Sequence, residues 1–210
     1  MRKTFLAITL FLAFSKAALA QFGNCTASEM RTYVDSATGN TITMLTDTMK
    51  NDRFLYQTDP MWTADGKYLL FRSSSRGNDK EVESTLPNGE KRKWTPTQIY
   101  FIEMATGKII QATEGPNLGS AFLANKTNRM FVSRKEKENW NMYVMDLNKF
   151  FADVKQGKVG KPSAYETFIG TFPTEMGRPG GYAVDCNDDY AYITVEREGT
   201  EEEKERIDRK

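Results

Sequence analysis

A turn-and-strand unit written three times at near-constant spacing constrains this 210-residue chain more than any other feature. It reads Trp62-Thr63-Ala64-Asp65-Gly66-Lys67-Tyr68-Leu69-Leu70-Phe71, then Leu123-Ala124-Asn125-Lys126-Thr127-Asn128-Arg129-Met130-Phe131-Val132, then Val184-Asp185-Cys186-Asn187-Asp188-Asp189-Tyr190-Ala191-Tyr192-Ile193. Aligned on Lys67, Arg129 and Tyr190, the copies stand 62 and 61 residues apart. Each places a polar turn of Asp, Asn or Gly between apolar runs, as a hairpin requires. A second unit with Thr-Gly at its tip alternates with the first. Tyr33 to Gly39 leads into Thr41 to Thr46, and Tyr100 to Gly107 leads into Lys108 to Thr113. Met142 to Leu147 matches the first strand of this unit and is followed by a longer excursion to Tyr165-Glu166-Thr167.

One full cycle is therefore two hairpins, or four antiparallel strands, and such sheets repeated along a chain are the blades of a β-propeller. A β-sandwich gives no reason for two hairpin types to alternate in step. The expected fold is all-β, a β-propeller of four-stranded antiparallel blades. About three blades are expected, near residues 30–110, 111–170 and 171–210. A ring needs at least about four blades, and the last copy runs into Glu201-Glu202-Glu203 before its second hairpin. The expectation is of a truncated ring, cut inside the third blade. Helical periodicity is confined to Leu147 to Val154 and the charged end after Gly199.

Residues 1–20 read as a secretory signal. Arg2 and Lys3 precede an apolar run from Thr4 to Phe14, and Ala18-Leu19-Ala20 ends on a small-x-small cleavage pattern. The run falls short of the roughly 20 residues a membrane helix needs. Residues 21–210 are then the partial propeller, periplasmic or secreted, with no membrane span once the signal is cleaved near Ala20. A net charge of +1 does not point to nucleic acid. In an oxidising compartment Cys25 and Cys186 are open to a disulfide, to burial as thiols, or to a free Cys25 on a loose arm. Histidine is absent. No Ser-His-Asp, Cys-His or His-based zinc centre can be assembled from these residues, so catalytic residues remain unassigned within the chain.

In a propeller, two loop types open on the funnel face. Here the loops entering each blade hold Asn51-Asp52-Arg53, Gly115-Pro116-Asn117 and Glu175-Met176-Gly177-Arg178-Pro179. The loops joining second and third strands hold Arg72 to Lys93 and Arg134 to Asn139, with Trp94 and Trp140 just beyond. Guanidinium forks grip carboxylates, and an indole covers a sugar face. The candidate binding residues for an acidic oligosaccharide are Arg53, Tyr56 and Arg178, with Trp94 and Trp140 as stacking platforms. A solvated rim, with both Trp residues in blade packing, is the plainer alternative, since Glu81, Glu83, Glu90, Glu136 and Glu138 are interleaved with the cations.

The stretch Asp59-Pro60-Met61-Trp62-Thr63-Ala64-Asp65-Gly66-Lys67-Tyr68-Leu69-Leu70-Phe71-Arg72-Ser73 resembles the repeat of TolB-type propellers. With Val34-Asp35, Thr38-Gly39, Leu45-Thr46-Asp47 and Phe54 to Pro60 before it, and Thr106-Gly107 to Thr113 after, the order resembles the start of oligogalacturonate lyases, over roughly residues 31–195. The resemblance implies a seven-bladed propeller that cleaves short pectic oligosaccharides by β-elimination. It also implies a divalent metal, manganese or similar, held by His and Gln in later blades that also carry the base. No metal site is expected within this chain, and the fragment alone is expected to be inactive. Family members often carry His where Asn51-Asp52-Arg53 stands, which leaves room for a related substrate. The competing readings are a non-catalytic TolB-like propeller that binds a protein or peptidoglycan partner, and the propeller that gates a serine peptidase.

Overall fold

Short apolar runs bounded by Gly, Asn and Asp turns fold as antiparallel strands nearly throughout. The structure is a computed structural model that describes residues 22–77, 80–85, 89–172 and 176–197, the side chains of 176–179 and 195–197 excepted. The signal expected over 1–20 and the charged end after Gly199 lie outside the described residues.

In chain order the strands are β1 (Cys25–Thr26), β2 (Arg31–Val34), β3 (Thr41–Met44), β4 (Asp52–Arg53), β5 (Tyr68–Ser73), β6 (Val82–Thr85), β7 (Lys91–Trp94) and β8 (Gln98–Glu103). Next come β9 (Ile109–Gln111), β10 (Leu118–Leu123), β11 (Arg129–Glu136), β12 (Asn139–Asp146) and helix α1 (Leu147–Gln156). After a 3-10 turn at Pro162–Ala164, β13 (Glu166–Thr171), β14 (Met176–Val184) and β15 (Ala191–Arg197) complete the described fold. Two sheets are four-strand meanders: β4-β5-β8-β9, with β1 added beyond β9, and β10-β11-β12-β13. The remaining pairs β2–β3, β6–β7 and β14–β15 each stand as two-stranded sheets. None of these sheets closes on itself.

Period-2 alternation buries both faces of β5 and β8 and of the facing stretches of β10 and β11, while β13 stays largely exposed. From β5 and β8, Tyr68, Leu70, Ile99 and Phe101 point into one apolar layer, while Leu69, Phe71, Tyr100 and Ile102 point into another. From β10 and β11, Ala121, Leu123, Met130 and Val132 meet the first of these layers from the opposite side. Phe122, Ala124 and Phe131 face a third layer, shared with Tyr182, Val184 and Ile193 of β14–β15. The sheets therefore stack face to face. Each fully buried Phe or Leu contributes about 1.5–3 kcal/mol, and Leu70, Phe101 and Ile102 are all 0% exposed.

Helix α1 packs into the first layer. The Asp146 side chain accepts from Lys149 N (3.0 Å) at its start, and Gly157 takes φ 65° at its end, a left-handed geometry that favours glycine. Its buried face, Leu147, Phe150 and Phe151, closes on the sheet, with Phe151 stacked 3.6 Å from the ring of Tyr68.

The turns of neighbouring sheets are latched to one another at equivalent places. Asp65 N donates to Asn128 Oδ1 (3.2 Å), joining the first and second copies of the repeated turn. Asp188 of the third copy accepts from Asn125 N (2.6 Å), Lys126 N (2.9 Å), Thr127 N (2.8 Å) and Thr127 Oγ1 (2.8 Å).

One sequence expectation is corrected by the strands. Arg134 to Asn139 is not a long loop, because β11 runs to Glu136 and β12 begins at Asn139, leaving only Lys137 and Glu138 as a tight turn. Arg134 is correspondingly no rim cation: it grips the buried carboxylate of Glu166 through both terminal nitrogens. Among the described residues, no helix is long and apolar enough to cross a membrane.

Candidate functional site

The first strands of the three repeated sheets, β4, β10 and β14, converge on an open cavity of about 920 Å³. Its floor is built from small residues: Gly119, Ser120 and Ala121 of β10, and Gly180 and Gly181 of β14. A Cβ placed on Gly119 would lie 2.4 Å from Ser133 Oγ, so only glycine lets the strand sit that close. Ser133 Oγ in turn accepts from Ser120 N (2.9 Å) and shares a hydrogen bond with the Tyr182 hydroxyl (2.8 Å), which fixes this floor.

The wall of the cavity is cationic. Arg53 of β4 and Arg72 of β5 are direct cross-strand partners, so both guanidinium groups leave the same face of the sheet. Arg92 of β7 reaches the same cavity from the β6–β7 hairpin. Asp59 is the one carboxylate among the described lining residues. Among the described residues, ion pairs engage Arg76 and Arg134 but none of these three arginines, and Arg53 Nε donates a hydrogen bond to Asn51 Oδ1 (3.3 Å). Like charges placed directly opposite each other destabilise a ladder. An anion seated between them removes that repulsion and gains charge-assisted hydrogen bonds.

The pair is held in place from behind. Arg76, with its side chain only 6% exposed, donates Nε to Asp52 Oδ1 (2.7 Å) and its terminal nitrogens to Glu29 (2.9 and 2.6 Å). Burial works against the Arg76 charge, but the Asp52 and Glu29 hydrogen bonds hold it firmly protonated. The same contact keeps Glu29 below the usual carboxylate range. This knot ties β4 to the chain leaving β5 and so sets the Arg53–Arg72 register.

Of the residues expected from sequence, Arg53, Tyr56 and Trp94 all line the cavity. Trp140 does not: it lies in β12 opposite Lys135, and a Cβ at Gly119 would fall 2.7 Å from its ring. The side chain of Arg178 lies outside the described residues, although its backbone belongs to β14. Sequence reasoning counts Arg72 and Arg92 among the cations of a joining loop without giving either a binding role of its own, and leaves Ser84 and Asp59 unassigned. Cys25 and Cys186 are both exposed free thiols.

No protein-family model matches the chain, and no curated protein matches it. Solved structures do. An oligogalacturonate lyase in complex with manganese superposes with a TM-score of 0.54 at 20% identity, covering 80% of this chain and 36% of that one. An oligogalacturonate lyase from Vibrio parahaemolyticus superposes with a TM-score of 0.53 at 21% identity, covering 79% and 35%. The likeness is one of fold. The chain spans about a third of the length of either enzyme.

The manganese of that neighbour has no counterpart in the residues described here. No group of three or more His, Cys, Asp or Glu comes together among the described residues. A cavity lined by three arginines and a single Asp suits an anion rather than a divalent cation.

Proposed function

We propose that this cavity binds an acidic oligosaccharide, within a propeller related to the oligogalacturonate lyases. The observation that carries the reading is the Arg53–Arg72 cross-strand pair, two like charges facing an open cavity with no carboxylate partner among the described residues. Tyr56, 67% exposed, and Trp94 add aromatic surface beside the cations, as sugar binding needs. In this reading the uronate carboxylate lies between the two guanidinium groups and the ring packs against the aromatics.

The propeller part of the reading is supported by the half-sheets. β14–β15 carries the repeated Asp/Asn turn and corresponds to the inner pair of a four-stranded sheet. β2–β3 carries Thr38-Gly39, as β8–β9 carries Thr106-Gly107, and corresponds to an outer pair. Two whole sheets flanked by complementary halves suit a radial series. If the protein performs β-elimination, the metal and base belong to sheets other than those described. The role of this chain is then to hold the uronate carboxylate, whose neutralisation makes the adjacent C–H acidic. Export to the periplasm or exterior accords with the signal-like residues 1–20.

Calorimetric titration of the chain with trigalacturonate, and with its methyl-esterified counterpart, tests the reading. The acid is expected to bind, weakening as salt is added, and the ester to bind at least about tenfold more weakly. Equal affinity for both would overturn it.

A further inference from the structure

The two large sheets differ at one corresponding place. Between its second and third strands the second sheet uses only the turn Lys137-Glu138, whereas the first sheet inserts residues 74–97, including the hairpin β6–β7. The common scaffold does not need this excursion, and long insertions within compact folds are usually functional. Its described residues are tied down at several points. Arg76 anchors its start through Glu29 and Asp52, buried Pro96 ends it, and Lys91 Nζ pairs with Glu83 Oε1 (2.8 Å) across the hairpin.

Strand alternation then sorts the hairpin into two faces. Val82 stands opposite Trp94 and Ser84 opposite Arg92, and of these Ser84, Arg92 and Trp94 line the cavity. Glu83, Thr85, Lys91 and Lys93 occupy the other face. The inserted hairpin therefore turns a cation, a hydroxyl and an indole toward the same space as the Arg53–Arg72 pair. Arg92 belongs to a separate two-stranded sheet and has no described carboxylate partner.

We infer that the β6–β7 hairpin forms a second carboxylate-binding subsite, in which Arg92 and Ser84 hold the carboxylate of another sugar beside Trp94; this rests on the acidic-oligosaccharide reading above. The hairpin makes the cavity a reader of chain length, because a monouronate engages one cationic centre and a longer uronide engages both. A cavity of about 920 Å³ has room for more than one ring.

The experiment is calorimetry of the chain with galacturonate and with trigalacturonate, for the wild type, Arg92→Ala, Arg92→Lys and Arg53→Ala. The preference for trisaccharide over monosaccharide is expected to fall about tenfold in Arg92→Ala and to recover in part in Arg92→Lys. Arg53→Ala is expected to weaken both ligands together. An unchanged preference in Arg92→Ala, with wild-type binding intact, overturns the hairpin subsite and leaves the acidic-saccharide reading standing. If the wild type binds neither acid, that reading itself fails.

Discussion

Asp65 shows how much one turn residue carries. Burial opposes its charge, yet hydrogen bonds from Thr63 Oγ1 and from Lys67 draw its carboxyl from 3.8 down to about 2. A carboxyl depressed in the folded state stabilises the fold above its unfolded value, and that contribution is lost as pH falls toward the folded value. Urea midpoints are therefore expected to drop between about pH 4 and about pH 2, and to drop less steeply in Asp65→Asn. An unchanged slope in the variant would show that Asp65 has no part in the acid response. Such turns are legible in sequence because their chemistry is local: an Asp two residues before Lys67 caps its own turn. The Arg53–Arg72 pair is not legible. Residues 54–61 leave the ladder between the Arg53–Arg72 pairing and the Trp62–Leu69 bridge, so counting from the repeated turn gives no register for Arg53.

Elements follow the same division. The hairpins of the repeat and α1 are visible because turn residues and helical spacing announce them. The helix runs from Leu147 to Gln156, starting where the apolar pattern begins. The turn between β11 and β12 is hidden, because Lys137 takes φ 56° where a Gly or Asn would have advertised it. The β6–β7 hairpin is hidden for a different reason: its charged residues read as loop, and only their alternation about a strand pair separates a cavity face from a solvent face. Between elements, Asp188 is the latch with most to lose. It is 7% exposed, and burial opposes its charge, but the Lys126 and Asn125 amides and Thr127 hold it below the usual range. Asp188→Ala orphans those donors and is expected to cost about 2–3 kcal/mol. Hydrogen exchange at the Asn125, Lys126 and Thr127 amides is expected to quicken ahead of exchange in β5 and β8. Uniform acceleration through both large sheets would show that the latch is not local.

At the scale of the molecule, face-to-face stacking of the sheets explains why both faces of β5 and β8 are apolar and why their first strands meet at one cavity. It also bears on the apolar side chains exposed on the half-sheets. Tyr33 and Val34 on β2 and Tyr192 on β15 are 53%, 64% and 60% exposed. They occupy the half-sheets, and the matching positions Phe101, Ile102 and Leu69 of the first whole sheet are buried; Phe168 and Ile169 on β13, the edge strand of the second whole sheet, are exposed as well. Within this frame the Arg53–Arg72 pair is a local cost to the fold that a bound anion converts into a gain. The most direct test is thermal unfolding of the wild type and Arg53→Gln, each with and without trigalacturonate. Without ligand, Arg53→Gln is expected to unfold at or above the wild-type temperature, since it relieves like-charge repulsion. With ligand at about 100 times its dissociation constant, the wild type gains about 2.7 kcal/mol of stability, and the variant gains little. An equal ligand-induced rise in both proteins would contradict the assignment of this pair as the anion site.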